Sequence, residues 1–337
     1  MIEIDGGYGE GGGQILRMSV AMAALTGKSV RIKNIRANRP TPGLKRQHMV
    51  AVESVGKLCN AEIKGVKMGS TTIEFHPHSL KGGEFKFDIG TAGSITLVLQ
   101  ACLLPSLFAP KETRLLIKGG TDVKWAPPWD YFQNVVVPLL NEMGADVEAY
   151  LNSRGYYPAG GGEVEVFINP CERLNAPSFN KEVEGVEGIV SIANLPFEIA
   201  ERIKNSALQK LKEHEMKANI MIEETSSPSP GTGIVLWTKG KHLGGDCLGE
   251  RGKRAEQVGR EAAKKLIMEI ESGADLDIHA VDHLLPYFVI AGEASLRCRK
   301  VSKHAETEMW LLRKFMDVEF EVKGEKLKKI KVRKRSD

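Results

Sequence analysis

The stretch DYFQNVVVPLLNEMGADVEAYLNSRGYYPAGGGEVEVFIN, residues 130–169, combines a helical and a strand pattern. Apolar residues recur at i, i+3 and i+4 in its first half, and Gly144 stands where a helix C-terminal glycine belongs. The second half alternates apolar and polar residues on both sides of a glycine-rich turn. The pattern predicts a helix followed by two strands.

The same helix–strand–strand pattern occurs in three further segments, 47–77, 201–239 and 304–333. In three of the four cases another helix–strand pair precedes it, which gives repeats over 11–77, 91–168 and 280–333. Repeats of this length bury a core only by packing together. We therefore expect an α/β (α+β) protein with three related sheet-plus-two-helix modules.

In residues 185–275 the predicted helices and strands follow in another order, with a helix at the end of the segment. This order predicts a smaller inserted α/β domain over 185–275. The large three-repeat domain would then comprise residues 1–184 and 276–337.

The composition is that of a globular enzyme, with 42% apolar and 27% charged residues among 337. A net charge of +4 permits an anionic substrate without requiring one, and 6% aromatics argue against an extensive base-stacking surface. The five cysteines are widely spaced, which disfavours disulfides and a structural zinc and favours reduced thiols. With no signal-peptide pattern at the N-terminus, a cytoplasmic location is expected.

The loop DGGYGEGGGQILR, residues 5–17, satisfies G-x-G-x-x-G by spelling. A dinucleotide site also needs an acidic residue about 20 positions later, and none lies between Glu10 and Glu53. Glycines at a helix start still expose backbone N–H groups to a phosphate. Glu10 beside such a phosphate would suit Mg²⁺ or Mn²⁺, with Arg17 nearby, although a solvated glutamate and a surface arginine explain the pattern equally well.

Two further loops have local signals. RGYYPAGGG, residues 154–162, contains three consecutive glycines, so either a close approach to its backbone or a long hairpin is expected. In residues 119–132, Pro127 and Pro128 lie between Trp125 and Trp129, where they could form a wall of a base pocket or merely a rigid turn.

His304 stands apart from the other seven histidines, because Ser302 can cap the helix that begins beside it. A helix N-terminus disfavours the imidazolium and keeps one ring nitrogen available as a nucleophile.

With these residues assembled, the chain resembles the RNA 3′-terminal phosphate cyclase family, in an archaeal-type form, over nearly its whole length. The resemblance is carried by EGGGQILR, RPTPGLKRQH, GTAGSITLVLQ, GGTDVKWAPPWDYF, RGYYPAGGG and LGERGKRAEQVGREAA, which begin at residues 10, 39, 90, 119, 154 and 248. It implies three modules of two helices and a four-stranded sheet, with a small domain inserted late in the chain.

The resemblance also implies a reaction: an RNA 3′-phosphate becomes a 2′,3′-cyclic phosphodiester at the expense of ATP, through a histidinyl-AMP enzyme. The partner would be RNA with a 3′-phosphate end, and neither a membrane nor a DNA partner is required. ATP and Mg²⁺ or Mn²⁺ would be needed.

By position, the resemblance assigns catalysis to His304 and Asp282, the latter orienting the former, and metal binding to Glu10. The substrate phosphates would be held by Arg17, Arg39 and Gln47, and the nucleotide by Gln100, Pro127, His279, Ala280, Val281, Asp282 and His283. His283, Glu308 and His279 depart from the residues usual in the family, so the adenine pocket is the least secure part of this assignment.

Three rival interpretations remain. A non-catalytic cyclase-like protein of ribosome or RNA processing would lack the histidine nucleophile, and enolpyruvyl transferases share the modular architecture but have longer chains. The basic tail KLKKIKVRKR, residues 326–335, could bind RNA without catalysis, although an edge strand with protective charges explains it slightly better.

Overall fold

The computed structural model describes residues 1–334. The end of the predicted large domain, residues 335–337, and the last residue of the basic tail lie outside the described part. In the first module the elements are β1 (Ile2–Asp5), α1 (Gly13–Thr26), β2 (Val30–Lys33), α2 (Arg46–Leu58), β3 (Glu62–Lys64) and β4 (Ile73–His76). The sheet order is β1-β2-β4-β3, with β1 and β2 parallel and the other pairs antiparallel.

The second module repeats this topology. Its elements are β5 (Gly83–Asp88), α3 (Ile95–Leu107), β6 (Thr113–Gly119), α4 (Trp129–Tyr131), a π-helical turn (Phe132–Val136), α5 (Val137–Glu142), β7 (Asp146–Ser153) and β8 (Gly162–Asn169). The sheet order is β5-β6-β8-β7, again with the first pair parallel. The quoted stretch therefore forms a helix and two antiparallel strands, as its pattern predicts.

The next segment has a different topology. It comprises β9 (Gly185–Ala193), α6 (Phe197–Lys212), β10 (Ala218–Thr225), β11 (Gly231–Lys239), β12 (Gly244–Leu248) and α7 (Ala255–Ser272), in the sheet order β10-β9-β11-β12. Residues 201–239 form a helix followed by two strands, as their pattern predicts, but these two strands are not paired with each other as they are in the other copies. β10 pairs in parallel with one side of β9, and β11 pairs antiparallel with the other side. β10 and β11 are therefore not neighbours in the sheet.

The last module contains α8 (Ile278–Ala291), β13 (Glu293–Cys298), α9 (Lys303–Phe315), β14 (Val318–Lys323) and β15 (Lys328–Lys334). Its described sheet, β13-β15-β14, has three strands instead of the four implied by the resemblance. Asp275 lies where the first strand would be and makes one ladder-like bond, from its N–H to the Arg297 carbonyl at 2.8 Å. The segment cannot extend further along β13, because Asp277 already caps α8.

The preferred interpretation of the basic tail as an edge strand is wrong. β15 is the central strand of its sheet and pairs with β13 and β14, as the last strand of each earlier module also lies inside its sheet. Ile330 and Val332 are buried, and lysines alternate with them on the other face.

Two apolar clusters form the interior of the described residues. The larger joins the three modules, and the smaller is confined to residues 186–267. Val235 and Trp237 of β11 belong to the larger cluster, so the two are packed against each other. The predicted domain limits at 184/185 and 275/276 stay a prediction. Between residues 1 and 334 no helix has the length and apolar character needed to cross a bilayer.

Candidate active site

The glycine loop between β1 and α1 is tightly packed. Gly9 and Gly11 have φ of +58° and +55°, a backbone conformation that favours glycine. A Cβ on Gly13 would collide with the imidazole of His48, so this helix start has no room for a side chain. The N-cap residue, Gly12, supplies no side-chain hydrogen bond, which leaves the first backbone N–H groups of α1 without a capping side chain.

Arg17 is a buried cation with incomplete hydrogen bonding. It is 6% exposed, and its Nη2 donates to Oε1 of Gln100 at 3.1 Å. Its Nε is buried with no partner. Burial lowers the pKa of Arg17 to about 10, so the guanidinium is still charged at neutral pH. A buried, partly unsatisfied guanidinium is suited to an incoming anion.

His304 lies in the first turn of α9, and Ser302 caps that helix by accepting from the N–H of Ala305 at 2.9 Å. This confirms the predicted cap. The Nε2 atom of His304 is 3.1 Å from a carboxylate oxygen of Glu10, and the side chain is 45% exposed. Burial lowers the pKa of His304, Glu10 opposes this effect, and Arg17 adds to it.

The other ring nitrogen of His304 contacts a residue that the sequence analysis missed. Nδ1 lies 2.6 Å from Oε1 of Gln14, and Nε2 of Gln14 donates to the His304 carbonyl at 3.1 Å and to Glu308 at 2.7 Å. Gln14 belongs to the EGGGQILR motif and precedes Arg17 by three residues, so both project from one face of α1. That spacing was the available signal.

Glu308 is completely buried one helical turn after His304. Burial raises its pKa to about 8, against the opposing effects of Gln14 and Arg17. One of its carboxyl oxygens has no hydrogen-bond partner. This glutamate, one of the family departures, therefore supports Gln14 from inside the protein.

Asp282, predicted to orient His304, contacts the helix cap and not the ring. Its carboxylate accepts a hydrogen bond from the hydroxyl of Ser302. Burial raises the pKa of Asp282 to about 6. Asp282 therefore contacts the residue that caps the helix of His304, and its orienting role stays a prediction.

Two of the three residues predicted to hold phosphates, Arg17 and Arg39, lie against the glycine loop. Arg39 places a guanidinium nitrogen against Gly12 and 3.9 Å from Glu10. Arg17 reaches back to the start of α1, against Gly13. Gln47 accepts from the backbone N–H of Ser94 at 2.8 Å, just before α3.

The predicted nucleotide residues come from two modules. Gln100 on α3 contacts Arg17, and the carbonyl of Pro127 accepts from Thr96 on the same helix at 2.8 Å. Trp129 is buried in the core, whereas Trp125 is 94% exposed. The two tryptophans therefore do not enclose Pro127 in a common pocket.

The segment from His279 to His283 forms the first turns of α8. His279 is exposed and meets Tyr131 edge to face, with ring centroids 6.4 Å apart. The side chains of Ala280 and Val281 are buried. Burial and the neighbouring cations lower the pKa of His283, which keeps this imidazole neutral. The assignment of these residues to nucleotide binding stays a prediction.

The loop RGYYPAGGG brings distant parts of the chain together. Arg154 is 1% exposed and pairs with Asp122 at 3.1 Å, Asp130 at 2.9 Å and Glu223 of β10 at 2.8 Å. Gly160 packs against backbone near Ala92, so the close approach expected of this glycine run occurs with the protein's own chain.

The donor set suits a phosphate-bearing ligand that carries its own cation. No cluster of three or more metal-ligating side chains occurs within residues 1–334. A cation at Glu10 would therefore take its remaining ligands from phosphate oxygens and water, as Mg²⁺ often does. The unpartnered Nε of Arg17 and the uncapped start of α1 provide the complementary anion contacts.

Comparison with known proteins shows the family of the chain. A model of the RNA 3′-terminal phosphate cyclase family matches residues 8–322. Proteins named RNA 3′-terminal phosphate cyclase from Archaeoglobus fulgidus, Methanosarcina barkeri and Pyrococcus furiosus are 47%, 46% and 46% identical to this chain. The alignments cover 97%, 96% and 96% of the chain and 99%, 96% and 96% of those relatives. The chain belongs to the RNA 3′-terminal phosphate cyclase family.

Proposed function

We propose that this protein uses ATP to convert an RNA 3′-terminal phosphate into a 2′,3′-cyclic phosphodiester, with His304 as the nucleophile that carries AMP. One observation supports this most: an imidazole at a helix N-terminus has Nδ1 held by Gln14 and Nε2 directed at Glu10 and the glycine loop. The names of the relatives support the same substrate class.

In the first step, Nε2 of His304 bonds to the α-phosphorus of ATP. The bond from that phosphorus to the bridging oxygen breaks, and its electron pair leaves with pyrophosphate. Arg17 and the first N–H groups of α1 would offset the charge on the transferred phosphoryl group. Glu10 would hold the divalent cation, which supplies further charge compensation to the phosphates and the leaving group when bound.

In the second step, an oxygen of the RNA 3′-phosphate attacks the same phosphorus, and the bond to Nε2 breaks. Arg39 is 42% exposed, so its guanidinium would contact the RNA phosphate, and Gln47 would do so as well. The ribose 2′-hydroxyl then attacks the RNA phosphorus and displaces AMP. The hydroxyl proton passes to solvent, and the step is favoured because AMP is a good leaving group and the vicinal hydroxyl is already held in place.

The test is transfer of label from ATP radiolabelled in the α-phosphate, with Mg²⁺ or Mn²⁺ present. The protein should acquire label that survives base and is lost in acid, as a phosphoramidate does. His304→Ala should remove it. His214→Ala is the matched control, because His214 also pairs with a carboxylate, Glu271 at 2.6 Å, but lies outside the site.

Addition of RNA ending in a 3′-phosphate should discharge the label, whereas the same RNA ending in a hydroxyl should not. An unlabelled wild-type protein would instead favour the non-catalytic, cyclase-like alternative. We place the reaction in the cytoplasm, in keeping with five cysteines that are all free thiols.

A further inference from the structure

The hydrogen bonds around Gln14 determine which of its amide atoms faces His304. The Nε2 of Gln14 lies within bonding distance of the His304 carbonyl, which can only accept, and of Glu308. An amide nitrogen donates and an amide oxygen accepts. The oxygen must therefore face Nδ1 of His304, as it does at 2.6 Å.

An amide oxygen at this distance requires a proton on Nδ1, because two lone pairs would otherwise face each other. Gln14 is 7% exposed and cannot turn its amide round without losing both acceptors of its Nε2. A neutral imidazole carries one proton. With that proton on Nδ1, the lone pair is on Nε2.

Glu10 competes for the same proton. Its carboxylate lies 3.1 Å from Nε2, and a hydrogen bond there would place the proton on the attacking nitrogen and block it. Glu10 is 33% exposed and can instead be satisfied by water or a cation. Gln14 has no such alternative.

We propose that Gln14, held by Glu308, is the positioning residue that keeps neutral His304 in the Nδ1–H form and so leaves Nε2 free to attack phosphorus. The inference rests on the proposed role of His304 as nucleophile. During attack the proton stays on Nδ1, where the oxygen of Gln14 stabilises the positive charge that develops on the ring. Glu308 acts through Gln14, without touching the ring.

The first test is a direct reading of the tautomer. Protein labelled with ¹⁵N-histidine is observed by long-range ¹H–¹⁵N NMR at a pH where His304 is neutral, and the His304 signals are identified by their loss in His304→Ala. We expect a protonated Nδ1 and an unprotonated Nε2 in the wild type. In Gln14→Met the proton should move to Nε2, toward Glu10. A wild-type proton on Nε2 would overturn the proposal.

The second test measures the rate of AMP transfer to the protein at saturating ATP. Gln14→Met should lower it about 10- to 100-fold, the usual effect of losing a hydrogen bond to a charged group. Glu308→Leu should lower the rate as well, and Glu308→Gln, which again offers an acceptor to Gln14, should recover most of it. A wild-type rate in Gln14→Met would refute the proposal.

The matched control is Gln133→Met. Gln133 has the same bonding pattern, accepting from the ring N–H of Trp129 at 3.0 Å and donating to the carbonyl of Ala149 at 2.8 Å, and neither partner belongs to the His304 site. Its loss should leave both the tautomer and the rate unchanged. If the wild type takes up no AMP, the proposed function fails, but the NMR measurement still decides the tautomer.

Discussion

Replacement of Arg154 by Met should destabilise the protein strongly. Asp122 and Asp130, at 2% and 3% side-chain exposure, would lose the guanidinium that compensates their charge. Removing one partner of a buried ion pair costs about 3–5 kcal/mol. Glu223 is 40% exposed on its side of the network, so Glu223→Gln should cost only about 0–1 kcal/mol and serves as the control.

The loss in Arg154→Met should depend on pH. Even with Arg154 present, burial raises the pKa of Asp130 from 3.8 to about 6. A carboxyl group with a raised folded-state pKa binds its proton more tightly when folded. Its contribution to stability is therefore greatest below about pH 4 and is lost as pH rises through about 6, or higher without the arginine.

The assay is urea denaturation of both variants and the wild type, followed by tryptophan fluorescence at about pH 5 and about pH 8. Arg154→Met should lose more free energy of unfolding at the higher pH than at the lower. The double variant with Arg154→Met and Asp130→Asn should regain part of that free energy. A loss below about 1 kcal/mol, or a loss equal at both pH values, would show that Arg154 does not compensate the charges of Asp122 and Asp130.

Three further predictions concern the site. Arg17→Met should reduce AMP transfer about 100-fold. Thermal stability should not fall, because the substitution removes a desolvated charge with few partners, and a lower melting temperature would contradict this. Arg39→Ala should still form the AMP adduct but discharge it slowly to RNA with a 3′-phosphate, and normal discharge would remove its assigned role. Glu10→Ala should shift the Mg²⁺ titration of adduct formation to higher concentration, and an unaltered curve would exclude it as the metal ligand.

The fold was predictable to the extent that it depends on local patterns. Helix periodicity and strand alternation predicted the modules, and Ser302 predicted the start of α9. The order of the strands within each sheet could not be predicted from local sequence patterns. β15 looked like an exposed edge because of its lysines, yet its position is fixed by pairing with both β13 and β14. Likewise β10 and β11 adjoin in sequence but are separated by β9.

The sequence indicated which residue types belong to the site better than it indicated which of them contact each other. Glu10 and His304 were both identified, and they meet across 294 positions of sequence. The spacing of three residues could have placed Gln14 beside Arg17 on α1. Its role, like that of Glu308, depends on which atoms face each other after α1 packs against α9, which spacing does not convey. Asp282 was assigned to the ring, whereas the packing of α8 directs it to Ser302.

The most direct measurement of the central claim is identification of the AMP-bearing residue by peptide mass spectrometry. Wild-type protein is incubated with ATP and Mg²⁺, digested under alkaline conditions to preserve a phosphoramidate, and sequenced by fragmentation. AMP is expected on the peptide that contains His304, at the imidazole. AMP on a lysine, on another histidine, or on no peptide at all would contradict this claim.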